Sequence, residues 1–118
     1  HVEAAAAGEM KHGVIALIDE SFPVVFFAAK CDPLFDKLLG NIQEVLARKA
    51  PVVAITDEEG AKVLVKYGVK VIIIPEGKFL ELPFISVIPA QLLAYFVAVS
   101  RGADVDQPRN LAKSVTVE

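Results

Sequence analysis

Pro23-Val-Val-Phe-Phe-Ala-Ala29 is an unbroken apolar run of strand length, and Lys30-Cys31-Asp32-Pro33 follows it directly. Its β-branched and aromatic residues favour a strand, and continuous rather than alternating apolarity is the mark of a central parallel strand covered on both faces. Asp32 before Pro33 then reads as a helix start, with a side-chain acceptor at the N-cap and a proline at a position whose N–H is spare. Leu34, Leu38, Ile42, Val45 and Leu46 recur at helical spacing. Glu44 and Arg48 form an i,i+4 pair, Arg48 and Lys49 suit the negative end of the helix, and Pro51 stops it. Val52 to Ile55 is a second apolar strand. Thr56-Asp57-Glu58-Glu59 fits a capping box from Thr56 to Glu59, opening a short helix through Val65 that ends at Gly68. Val69 to Ile74 is a third strand, closed by Pro75-Glu76-Gly77. Strand, helix, strand, helix, strand at these separations excludes hairpins and fits crossover helices. The expected fold class is α/β: a three-layer, Rossmann-like unit with a mainly parallel sheet that lacks its first strand and helix and carries an extended C-terminal tail.

On the N-terminal side, Val2 to Ala7 has the alanine content of a helix and Gly8 the character of its stop. Val14 to Ile18 fits a short strand or a helical turn, with helical or irregular structure preferred. On the C-terminal side, Pro83 to Arg101 predicts one long apolar helix with a kink at Pro89 and a stop at Gly102. The segment from Asp104 to Glu118 contains Pro108 and has no sustained hydrophobic period, so it reads as ordered coil.

Composition narrows the function classes. Of 118 residues, 54% are hydrophobic, above the usual share of about 45–50%, so part of the apolar surface is expected to meet a partner or another part of a longer polypeptide. The net charge is −3, with 12 scattered basic residues, which argues against a nucleic-acid groove. Cys31 is the single cysteine and cannot form an internal disulfide, which favours the cytoplasm over a secreted setting. Pro83, Ser86, Pro89 and Gln91 interrupt the longest apolar run, so no membrane span is expected. The chain starts at His1 inside an alanine-rich stretch without a signal peptide, and is expected to be a fragment or processed piece.

The strand ends that would face a ligand in such a sheet, Ala29 to Asp32, Thr56 to Glu58 and Pro75 to Gly77, carry no phosphate-cradling glycine loop. Spacing supports no metal site, and no cofactor is expected. Cys31 has no histidine placed beside it by the sequence and reads as a small loop or core residue. Two residues suit carbonyl chemistry. His12, beside Gly13, can move protons near neutral pH, and Lys113, between Ala112 and Ser114, can form a Schiff base with a carbonyl substrate. The alternatives are a polar loop histidine and a solvated terminal lysine.

Three stretches carry a resemblance: Asp104-Val-Asp-Gln-Pro-Arg-Asn-Leu-Ala-Lys-Ser-Val-Thr-Val-Glu118, His1-Val-Glu-Ala followed by Gly8-Glu-Met-Lys-His-Gly13, and Pro89-Ala-Gln-Leu-Leu-Ala-Tyr95. In that pattern the chain resembles the glucosamine-6-phosphate synthases, the glutamine-dependent fructose-6-phosphate aminotransferases. The resemblance implies that residues 1–102 are the later part of a second sugar isomerase (SIS) subdomain and 103–118 a catalytic tail. It implies the conversion of fructose 6-phosphate and glutamine-derived ammonia to glucosamine 6-phosphate in a homodimer. His12 would help open the sugar ring across the dimer interface, Lys113 would form the Schiff base, and Ala112 would lie along the sugar. The upstream SIS subdomain, the glutaminase domain and a proton-shuttling glutamate lie outside this chain, so it is expected to be inactive alone. Val14, Ala5 and Phe96 stand where the family commonly has proline, tyrosine and histidine. A non-catalytic SIS module that binds a phosphosugar or serves interaction is the alternative, and a third reading is a product whose exposed interface is merely structural; periodicity leaves the apolar helix Phe84 to Val99 open as core or dimer surface.

Overall fold

A computed structural model describes residues 2–109. The chain divides into two compact units, His1–Ser86 and Val87–Glu118. The first unit holds the sheet. Its strands are β1 (Val24–Phe27), β2 (Val52–Thr56) and β3 (Lys70–Ile73), and they lie in the order β1-β2-β3 with both pairings parallel. The fold class is thus α/β, as the three apolar runs predict.

Helices α1 (Phe35–Leu46) and α2 (Glu58–Leu64) make the two crossovers. Because the strand order steps in one direction, crossovers of one hand bring both helices to one side of the sheet. The core agrees. Phe26, Val52 and Ala54, which share one face, are buried with Phe35, Ile42 and Val45 of α1 and Leu64 of α2. The opposite face differs from the expectation of cover on both sides. Phe27 and Ile72 flank buried Ile55 in register, yet Phe27 is 51% exposed and Ile72 36%, and Val25 beside them is 37% exposed. Only central β2 is shielded along nearly its whole length.

Several local features depart from the sequence reading. Val2 to Ala6 form no helix; a 3₁₀ helix, Ala7–His12, begins only where Met10 can be buried, and Gly8 lies inside it. A run this short cannot offset the cost of nucleating a helical turn, and Ala6 offers no capping side chain. Val14–Leu17 is a second 3₁₀ helix, in keeping with the expected helical or irregular stretch. Helix α1 starts at Phe35 rather than beside Pro33. Asp32 closes a tight turn first, its carboxylate accepting the Leu34 N–H at 2.7 Å and its carbonyl the Phe35 N–H at 3.0 Å. Arg48 does not pair with the Glu44 side chain; its guanidinium donates to the Glu44 carbonyl at 2.7 Å, capping a free acceptor at the helix end. Lys49 then takes the left-handed region at φ 64°, which costs an L-residue on the order of 1 kcal/mol.

Helix α1 ends at Leu46, ahead of the expected stop at Pro51, whereas the two glycine stops are as expected. Gly68 and Gly102 have φ 78° and 70°. Each sits at the end of a paired set of carbonyl contacts: Gly68 and Val69 N–H to Val65 and Leu64, and Gly102 and Ala103 N–H to Val99 and Ala98.

Helix α3 (Leu82–Ser100) is continuous through Pro83, Ser86, Pro89 and Gln91. Pro83 sits in the first turn, where its missing N–H has no carbonyl to serve, and Pro89 is held inside the helix. The sequence treats these residues as interruptions; the segment Phe79–Ser100 is instead 22 residues long with mean hydropathy 2.0, enough in length and composition to cross a membrane. The same traits suit a helix enclosed by protein on all sides. Phe84 is 77% exposed and none of the α3 residues is buried. Beyond it, the Asp104 carboxylate accepts the N–H groups of Asp106 and Gln107, both at 2.9 Å, so the described start of the tail is a side-chain-closed turn.

Candidate functional site

Parallel strands direct their carboxyl ends to one edge of the sheet, and at that edge Thr56 and Asp57 hold the three strands together. The Thr56 hydroxyl donates to the Ala28 carbonyl at 2.7 Å, and the Thr56 carbonyl accepts the Ile74 N–H at 2.8 Å. Asp57, only 4% exposed, is the N-cap of α2. One carboxylate oxygen accepts the Gly60 N–H at 2.7 Å, and the other receives a longer contact from the Cys31 N–H at 3.4 Å. The capping role read for Thr56 therefore belongs to Asp57. Thr56 is still inside the strand, and its hydroxyl is taken by a carbonyl 28 residues earlier. An aspartate directly after a strand and just ahead of a helical run was the available signal.

Gly60 completes the junction. A Cβ there would stand 2.1 Å from Thr56 Oγ1 and 3.0 Å from the Ala28 carbonyl oxygen, so α2 approaches the strand ends as closely as it does only without a side chain at this position.

Chemically this edge is a brace. Both Asp57 oxygens face backbone N–H groups, and its burial leaves it no path to a substrate proton. Beside it, Glu58, Ile73, Ile74, Pro75 and Glu76 line a shallow concavity. Two carboxylates and no cation make it unsuited to a phosphate group. Among the described residues no three His, Cys, Asp or Glu side chains gather to hold a metal ion.

Cys31 lies exposed in the loop after β1. Partial burial, then the negative charge of Asp57, push its thiol above the usual range, which works against a thiolate nucleophile. Lys30 in the same loop stands 4.3 Å over the Phe35 ring and 3.0 Å from the Asp36 carboxylate. That cation is engaged in fixing the start of α1.

His12 is the last residue of the 3₁₀ helix Ala7–His12, with its side chain exposed and buried Met10 anchoring the turn beneath it. Gly13 follows with φ 177° and ψ −69°, outside both the strand and the helical regions, and a Cβ there would meet no described atom within 4 Å. Packing among the described residues thus does not explain the glycine. Lys113 and Ala112, the other residues singled out in the sequence, lie outside the described residues, as does the tail from Asn110 onward.

Comparison with known proteins adds what the geometry lacks. The sequence profile of the SIS domain matches residues 1–101. The glutamine–fructose-6-phosphate aminotransferase (isomerizing) of Thermus thermophilus is 58% identical over 118 residues, covering all of this chain and 19% of that protein. The enzyme of the same name from Gluconobacter oxydans is 54% identical over the same span and share. Among solved structures, the C-terminal domain of glucosamine-fructose-6-phosphate aminotransferase from Francisella tularensis is similar with a TM-score of 0.84 at 39% identity, over 92% of this chain and 30% of that one. The chain spans about a fifth of the length of the curated relatives it matches (19%).

Proposed function

The chain belongs to the SIS domain family, and on that premise we propose that it forms the C-terminal part of the isomerase domain of a glutamine–fructose-6-phosphate aminotransferase. One observation carries this reading. The SIS match ends at residue 101, whereas the 58% identity to the Thermus thermophilus enzyme runs through all 118 residues. The tail is therefore shared with the aminotransferases beyond what an SIS fold requires, which favours the enzyme over a non-catalytic phosphosugar-binding module.

The reaction is the conversion of fructose 6-phosphate and glutamine-derived ammonia to glucosamine 6-phosphate. His12 assists ring opening, for which a group that gives and takes a proton near neutral pH is suited. Lys113, as the neutral amine, adds to the open-chain ketose carbonyl, and loss of water leaves the Schiff base. Ala112 lies along the sugar, and the tail excludes water from the intermediate. The exposure of His12 supports its donation to a second copy in a homodimer. The two carboxylates lining the concavity at the strand ends disfavour a phosphate group there, in keeping with phosphate contacts from another part of the polypeptide and with a 118-residue chain that is inactive alone. Helix α3 falls within the SIS match, which favours cover by the rest of a longer polypeptide or by a second copy over a membrane span. The cytoplasmic setting expected from the lone Cys31 is part of the same reading.

The test is borohydride reduction of the longest polypeptide carrying this chain in the presence of fructose 6-phosphate, followed by peptide mass mapping. The expected result is a sugar adduct on Lys113 that Lys113→Ala abolishes. His12→Ala is expected to keep the fold and lower kcat/KM by about 10²–10⁴-fold. An adduct on another lysine overturns the assignment. Sugar binding by calorimetry with no adduct moves the non-catalytic module to the front.

A further inference from the structure

We draw no further inference here: the strongest candidate, the open face of the sheet that carries Val25, Phe27 and Ile72, is an apolar surface for which nothing in the structure shows what covers it.

Discussion

Phe26 and Phe27 are neighbours in β1, yet the first is 5% exposed and the second 51%. They point to opposite faces of one sheet, because successive side chains of a strand alternate. On the Phe26 face, α1 and α2 supply Phe35, Ile42, Val45 and Leu64 as cover. On the Phe27 face the same residue types meet much less protein. An apolar run therefore reports that both faces of a strand suit a protein interior, and it does not report which segment encloses them. Crossovers that all step in one direction can cover only one side.

The largest expected effect comes from truncating the two faces in parallel. Ile42→Ala, at a fully buried position, is expected to lower stability by about 2–5 kcal/mol. Phe27→Ala is expected to cost no more than about 1 kcal/mol, since half of its area is already in water. Urea unfolding of both variants checks this. Equal costs would break the comparison and mean that the Phe27 face is covered in solution, for instance by self-association.

Next in size is Gly60→Ala, which strikes the junction that holds α2 to the covered side. The new methyl group displaces the Thr56 hydroxyl from Ala28, at an expected cost of about 1–3 kcal/mol. A midpoint shift in urea near zero would show that the strand ends yield easily and are no brace.

Asp57→Ala removes the helix cap and leaves the Gly60 N–H without its acceptor, for an expected loss of about 0.5–2 kcal/mol. Asp57→Asn keeps one acceptor oxygen and is expected to recover most of that stability. If both variants unfold at the wild-type midpoint, the capping role is wrong.

The smallest effect is kinetic. Since burial and Asp57 raise the Cys31 pKa, less of its thiol is ionised at a given pH than in a free peptide, and alkylation at pH 8 is expected to be slower. Titrating the iodoacetamide rate against pH checks the direction. A midpoint below that of a model thiol would reverse the conclusion and reopen Cys31 as a nucleophile.

What could be read in advance follows the range of the forces involved. The phase of α1, with Ile42 and Val45 buried, and the stops at Gly68 and Gly102 are local, set by side-chain periodicity and by a conformation that glycine adopts at little cost. The cap of α2 was legible only to within one residue. Choosing Asp57 over Thr56 depends on where β2 ends, and β3 helps settle that through the Ile74 N–H bonded to the Thr56 carbonyl. The Glu44–Arg48 pair failed for a related reason, because a helix-terminal carbonyl competed for the guanidinium.

The candidate site divides in the same way. His12 was singled out by its chemistry beside Gly13, and the structure adds that it is exposed at the end of a 3₁₀ helix. Lys113 and Ala112 were singled out by the tail they belong to. The Thr56–Asp57–Gly60 brace was missed, since its partners at Ala28 and Cys31 are remote in sequence.

By itself, the sequence determined the strand–helix–strand–helix–strand order, the parallel character of the sheet and which side chains suited to proton transfer or carbonyl chemistry the chain carries, because each is written in local composition, periodicity and spacing. Only the tertiary structure decided which sheet face is covered, which residue caps α2 and why residue 60 must lack a side chain. Those outcomes depend on atoms brought together from distant parts of the chain, where excluded volume and the satisfaction of buried hydrogen bonds select one arrangement.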